Sequence, residues 1–507
     1  MAYAKGSSME LRNVRVIVPL FITREEAEGI KKFLEGYAWD GTVIDVIGLQ
    51  ESIAVNSRSE ADVATTELMD LLAKAEKDGC NAVVSYCYVD VGVDAAKCFS
   101  KIPVIGPLEA STIVANMLGM RYSVISVGAT YPPGEFYILP RLRSIGLDKN
   151  YVSTRGIHFE KFFVFSKNAR HVKAMRSALI KECKKALGDG AHTLIFGCTG
   201  FPPAKDLGIG LNVPIIDAPI ALKVAECLVD LKSDRSEMEI QGQISNKDRE
   251  CDGVKTRIKL LIPASAALDP SLLEKLRGFM NEGTKIDQTA FEKGPESIKS
   301  PSDLAKVLPF IIKEAARAEA EGYGAVVISS FVDPGLESAR EVCQIPIMGL
   351  GESSILLSCL IGMKASIIIR EDWMKPLLEK KIRKMGLEGR ISQIIQIGEK
   401  NGTGWPNPDE LIEELKSAIE GGADVIILGG NDAFDIVRSI RSRVGTTILD
   451  PMSAALKMAE VLHSMGLSHS KLSYPRPILP RYHKKRLEGL TRKPKGSLFL
   501  YGIGNQV

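Results

Sequence analysis

Apolar runs of strand length alternate along the chain with segments of helical character. Residues 14–20, VRVIVPL, form the first run, and Thr23 followed by Arg24, Glu25 and Glu26 opens a helix with an N-cap and early acids. A strand from Thr42 to Ile47 precedes a long helix through Glu60 to Lys77, and further runs follow at 81–86, 103–106, 122–127, 193–197 and 214–217. These runs are nearly continuous rather than alternating, as strands buried on both faces are. With helices between them they predict an α/β fold of parallel, doubly wound sheets. The order falls into two lobes with a cleft between them, the second lobe starting near Gly119.

The whole pattern then returns, from RIKLLIP at 257–263 through VVISS, PIMG, ASIII and DVIILGG to TILD at 447–450. The repeat is clearest where Gly79–Val127 aligns without gaps onto Gly322–Arg370, at a constant offset of 243 residues. Asp90 meets Asp333, Gly92 meets Gly335, Glu109 meets Glu352 and Gly119 meets Gly362. The chain reads as a tandem duplication. Its expected parts are a first unit at 1–235, a charged linker at 236–255, a second unit at 256–473 and a basic, Pro-containing extension at 474–507. The basic cluster from Arg481 to Lys495 reads either as a solvated surface extension or as a dock for an acidic partner, and the closing SLFLYGI as an added edge strand.

Composition agrees with two folded units. A chain of 507 residues exceeds what one core serves, and 45% apolar with 25% charged residues excludes disorder. A formal charge of +3 is too small to argue for nucleic acid or a membrane surface as the main partner. Nine cysteines, among them Cys80, Cys183, Cys227 and Cys359 inside apolar runs, fit a reducing cytoplasm rather than a secreted disulfide framework. The N-terminus shows no apolar leader and no stretch approaches a membrane span, so a cytoplasmic, unexported protein is expected. The histidines, including His158, His171 and His192, lack metal-ligand spacing, and Gly208-Ile-Gly210 and Gly502-Ile-Gly504 lack the acid of a dinucleotide site. No metal or cofactor is expected. The partner is a small molecule; self-association, between copies of the chain or between its two units as a pseudo-dimer, stays open.

Within the duplication one difference stands out. Cys87 ends VVSYC and Cys198 ends LIFGC, both at strand ends where ligands of such sheets collect, whereas the second unit has Ser330 and Gly430 there. Thiols from two lobes facing one cleft can remove a proton from one side of a carbon α to a carbonyl and return one to the other. Backbone amides of a following helix N-terminus lower a thiol pKa, and the Cys198-Thr199-Gly200 turn can offer amides to an enolate-like oxygen. Cys80, Cys98, Cys183 and Cys227 read as core or surface thiols. Asp90 and Asp333 read as turn and capping residues, Asp217 and Asp450 as caps, and Glu109 and Glu352 equally as cap or pocket residues.

The segments SYCYVDVGVDAAK, PVIGPLEA and FGCTGF resemble the hydantoin and allantoin racemase branch of the aspartate/glutamate racemase superfamily. That resemblance implies cofactor-independent racemization with Cys87 and Cys198 as the acid/base pair. It also implies a substrate pocket lined by Asp90, Glu109 and Thr199, to which Tyr86, Tyr88 and Gly200 are the neighbouring candidates. The chain departs from the branch at Val18-Pro19-Leu20-Phe21, where Asn-Pro-Asn is usual, and at Val91, where proline is usual and Pro334 keeps it. The second unit is not expected to racemize. It replaces a second subunit, closes the first cleft, or binds a ligand through Ser329, Ser330, Gly429, Gly430 and Asn431. The enzymatic alternatives are a related decarboxylase or cis-trans isomerase; the non-enzymatic one is a small-molecule-binding protein.

Overall fold

The computed structural model describes residues 12–50, 55, 58–127, 137–157, 168–232, 254–265, 270–292, 294–398 and 404–477. The expected linker and the basic cluster with its SLFLYGI strand lie outside these residues, apart from the last positions of the linker and residues 474–477 of the extension.

The first lobe runs β1 (Arg12–Val18), α1 (Arg24–Glu35), β2 (Thr42–Gly48), α2 (Arg58–Lys77), β3 (Ala82–Ser85), α3 (Val93–Phe99), β4 (Val104–Ile105) and α4 (Pro107–Leu118). The second follows with β5 (Tyr122–Val127), α5 (Leu139–Ser144), β6 (Tyr151–Ile157), α6 (Ala169–Gly188), β7 (Thr193–Phe196), β8 (Ile215–Ile216) and α7 (Ile220–Lys232). The third contains β9 (Thr256–Ile262), α8 (Pro270–Phe279), β10 (Thr284–Ala290), α9 (Pro301–Ala320), β11 (Ala325–Ile328), α10 (Leu336–Val342), β12 (Ile347–Gly349) and α11 (Leu350–Ile361). The fourth contains β13 (Ala365–Ile369), α12 (Lys375–Met385), β14 (Ile391–Gln396), α13 (Pro408–Glu420), β15 (Val425–Leu428), α14 (Phe434–Ile440), β16 (Thr447–Leu449) and α15 (Pro451–Ser464).

Each lobe is a four-stranded sheet of one topology: β2-β1-β3-β4, β6-β5-β7-β8, β10-β9-β11-β12 and β14-β13-β15-β16, with every pairing parallel. Apolar continuity has its reason in both faces being covered. Val16 and Val84 enter the central core, while their neighbours Ile17 and Val83 pack outward against Leu68 and Leu72 of α2. Thr23 caps α1 as expected, with the Glu26 amide donating to its hydroxyl and its own amide donating to the Glu26 carboxylate. Strands β6, β10 and β14 were not among the expected runs. They are sheet edges, only partly buried, and carry polar residues (YVSTRGI, TKIDQTA, ISQIIQ) that break the apolar continuity of inner strands.

The two units share one core. Helices α4 and α7 of the first unit meet α11 and α15 of the second, and one apolar cluster contains residues of all four. All of α4 is buried, and on α7 every residue but Lys232 is. Charged groups are sealed in the same layer. Arg12 donates to both carboxylate oxygens of Asp230 at 2.8 and 2.9 Å, and Lys457 of the second unit reaches Asp230 at 2.8 Å. The layer is pseudo-symmetric: Lys223 pairs with Glu226, which accepts from the Trp39 amide, and Lys457 pairs with Glu460, which accepts from the Asn281 amide. Among the described residues no helix is long and apolar enough to cross a membrane.

Candidate active site

Cys87 stands just beyond β3 in a turn closed by the Asp90 amide, which donates to the Cys87 carbonyl at 2.9 Å. Asp90 takes φ +50° and Gly92 φ +70°, and the duplicate repeats this backbone with Asp333 at +52° and Gly335 at +69°. Aspartate tolerates this left-handed region better than most side chains, which explains the residue type. The turn aims its carboxylate at the start of α4, where the Leu108 and Glu109 amides both donate to it at 3.0 Å. Asp333 accepts in the same way from Gly351 and Glu352 at 2.9 and 2.8 Å. Both aspartates are thus capping groups, as read from the sequence. A Cβ on Gly106 would lie 2.0 Å from the Asp90 Oδ1. Gly106→Ala is expected to push Asp90 off α4 and lower stability by about 1–3 kcal/mol, read from urea unfolding midpoints.

Glu109 is buried and held by Lys97 at 2.8 Å and Arg141 at 3.2 Å. Arg141 also approaches Asp90 at 3.5 Å. Burial and the Glu109 charge push the Asp90 pKa up, against Arg141 and the two amides. Lys97 and Arg141 were not predicted. Lys97 repeats as Arg340, which pairs with Glu352, but Arg141 becomes visible only when α5 folds back onto α4.

Cys198 follows β7, half-buried beside Thr199 and Gly200 and against the cluster containing Phe196 and Phe201. The Gly197 amide donates to Ile125 and the Phe201 amide to the Cys198 carbonyl, at 2.7 and 3.1 Å. The helix N-terminus expected after each thiol is only partly present. Short α3 follows Cys87, whereas turns, not an α-helix, follow Cys198, so amide donors there belong to the turn itself.

The two turns occupy equivalent places, after β3 and β7 of sheets with the same strand order. Tyr86 and Tyr88, on either side of Cys87, are each 3% exposed, and their phenols are raised by burial and, further, by the charges of Cys198 and Asp217. Tyr88 Oη lies 3.2 Å from Ser111 Oγ. Tyr86 Oη is buried with no hydrogen-bond partner in the described structure. A phenol so raised stays protonated at neutral pH and is a standing donor. The lobes also meet where Lys205 Nζ lies 4.5 Å above the Tyr37 ring, a contact repeated by Arg438 over Phe279 at 5.4 Å.

Asp217 departs from the expected capping role. Asp450 does cap α15, accepting from Met452 and Ser453 at 3.1 and 2.9 Å, but Asp217 accepts from the Ala204 amide at 3.2 Å. Burial, then the Asp206 charge, raises its pKa from 3.8 to about 7. An acid raised by folding holds its proton more tightly in the folded state, so its favourable contribution is present at acid pH and is lost as pH rises through that window. Asp217→Asn is expected to flatten this decline in stability between 3.8 and about 7, measured as unfolding midpoint against pH.

In the second unit the counterparts of the thiols are Ser330 and Gly430. Ser330 is half-buried, Ser329 is buried with an unpartnered hydroxyl, and Asn431 is half-buried. A Cβ at Gly430 would meet Asp432 Oδ1 at 2.7 Å and the Trp405 ring at 3.0 Å, and one at Gly429 would meet the Phe331 ring at 2.8 Å. Trp405 Nε1 donates to Asp432 at 3.0 Å and Arg370 pairs with Asp432 at 3.0 Å, which holds both groups beside Gly430. In a chain already carrying Cys87→Ala and Cys198→Ala, adding Ser330→Cys and Gly430→Cys is expected to give no substrate proton exchange by NMR.

The family model described as Asp/Glu/Hydantoin racemase matches residues 40–225 and again 261–459. The chain is similar to the hydantoin racemase of Pseudomonas sp. (strain NS671), 29% identical over 45% of this chain and 94% of that one. It is likewise 29% identical to the hydantoin racemase of Paenarthrobacter aurescens, over 45% of this chain and 99% of that one. Among solved structures, the allantoin racemase from Klebsiella pneumoniae aligns at 23% identity with a TM-score of 0.39, over 45% of this chain and 98% of that one. With its module matched twice and across most of its length, the chain belongs to the Asp/Glu/hydantoin racemase family.

Proposed function

We propose that the first unit is a cofactor-independent racemase or epimerase of a small, hydantoin- or amino-acid-like carbonyl compound with an acidic α-proton. Cys87 and Cys198 are its acid/base pair. One thiolate takes the α-proton, the electron pair moves into the carbonyl to give an enolate, and the opposite thiol protonates the other face, leaving the two sulfurs with their protonation states exchanged. Amides of the Cys198-Thr199-Gly200 turn and the Tyr86 hydroxyl are the donors assigned to the enolate oxygen, where preorganised donors have most effect. Asp90 and Glu109 shape the pocket by fixing α4 rather than by carrying protons.

The observation that carries this reading is that Cys87 and Cys198 follow equivalent strands, β3 and β7, of two lobes with the same strand order. It supports a common cleft for thiols from two lobes. The relatives named above, hydantoin racemases along nearly their whole length, support the substrate class. The test is incubation of single enantiomers of hydantoins, allantoin and acidic amino acids in deuterium oxide. Inversion with deuterium at the α-carbon is the expected result. Carbon dioxide release without inversion would reassign the unit as a decarboxylase, and binding without exchange would reassign it as a binding protein.

A further inference from the structure

Helix α4 is held at both ends by groups outside it. Its first amides are capped by Asp90 of the Cys87 turn. At its far end three successive carbonyls need donors, as helix C-termini do. His469 Nδ1 serves Met117 at 3.1 Å, the Ser470 amide serves Leu118 at 2.7 Å, and the Ser473 hydroxyl serves Gly119. All three donors come from the chain just after α15, at the end of the second unit.

The same segment is anchored in that unit. The Ile347 amide donates to His469 Nε2 at 2.8 Å, and Arg340 donates to Tyr474 Oη at 3.2 Å. Lys471 Nζ donates to the carbonyls of Arg340, Glu341 and Cys343, closing the end of α10. Since His469 Nε2 accepts, its proton resides on Nδ1; burial, then the Arg340 charge, keeps the ring neutral. Ser473 also meets His192 of the second lobe at 2.7 Å. The approach to α4 is close: a Cβ on Gly119 would fall 2.9 Å from Ser470 Cβ and 3.1 Å from Ser473 Oγ.

We propose that residues 468–474 are a strap through which the second unit positions the catalytic turn of the first. The strap sets where the C-terminus of α4 sits, and α4, a rod about 18 Å long, sets where Asp90 and the Cys87 turn sit. His469 and Ser473 are positioning residues that touch no substrate. The inference rests on Cys87 being catalytic, but its test does not need turnover. A helix held firmly at both ends transmits a displacement only if the two ends are energetically coupled, and coupling is measurable.

The experiment uses the full chain with Ser473→Ala and, separately, His469→Ala. Cys87 alkylation by iodoacetamide is followed by peptide mass spectrometry with exposed Cys98 as the internal control, alongside hydrogen exchange of the α4 amides. Expected is a change in Cys87 alkylation rate of about 3–10-fold, the effect of a 0.6–1.4 kcal/mol coupling, with faster exchange at Leu108 and Glu109 and no change at Cys98. Ser473→Thr and His469→Gln, which keep a donor, should restore parent behaviour. Where the parent turns over, kcat should fall with KM little changed. Unaltered Cys87 alkylation and unaltered exchange at Leu108 and Glu109 in both alanine variants would overturn the strap. A parent chain without turnover would instead count against the thiol chemistry alone.

Discussion

Alanine at Cys87 or at Cys198 is expected to abolish inversion of the substrate's stereocentre, with a loss of about 10²–10⁴-fold per thiol, the usual contribution of a positioned acid or base. The two variants should fail differently. Each keeps one thiol, which still takes a proton from the enantiomer that presents it and returns a deuteron to the same face. Cys87→Ala should therefore exchange one enantiomer without inverting it, and Cys198→Ala the other. Both positions are only half-buried, so stability should shift by less than about 1 kcal/mol, which separates lost chemistry from lost fold. Chiral chromatography and proton NMR of the α-position read the two effects. Full inversion in either variant, or equal exchange of both enantiomers in both, would remove the two-thiol assignment.

The largest expected effect on stability lies in the layer between the units. Asp230 is fully buried and accepts from Arg12 and Lys457, one cation from each unit. Asp230→Ala would leave buried Arg12 without its carboxylate partner and Lys457 with Glu460 alone. The cost of breaking a buried ion pair from one side is about 3–5 kcal/mol, against 0–1 for an exposed pair. Asp40→Ala, which removes the exposed partner of Lys255, is the matched control and should move the urea midpoint little. A small effect for Asp230→Ala would mean that the units are held by their apolar helices alone. Expression of residues 1–235 extends the test, because the faces of α4 and α7 buried against α11 and α15 would meet water; a soluble, active monomer would argue against a supporting role for the second unit.

The duplication shows how far the linear pattern reaches. Asp90 and Asp333, aligned by offset alone, have the same left-handed backbone and the same capping bonds, because a turn of this kind depends on residues close in sequence. The inner strands were legible because burial on both faces demands an unbroken apolar run. Edge strands β6, β10 and β14 were not, since half their surface is free to be polar. The thiol turns were legible from strand-end position and from their loss in the second unit. The Asp217 environment was not: its sequence resembles that of Asp450, yet one accepts from a distant loop and the other caps its own helix.

By itself the sequence determined the repeated α/β lobes, the two strand-end thiols and the absence of thiols at Ser330 and Gly430, since these depend on local periodicity and residue identity. Only the tertiary structure decided that Arg141 joins Asp90 and Glu109, that Trp405 and Asp432 lie against Gly430, and that the segment after α15 caps α4. Those contacts join residues far apart in the chain, and no spacing rule links them. They exist because buried carbonyls, carboxylates and cations must each find a partner once water is excluded.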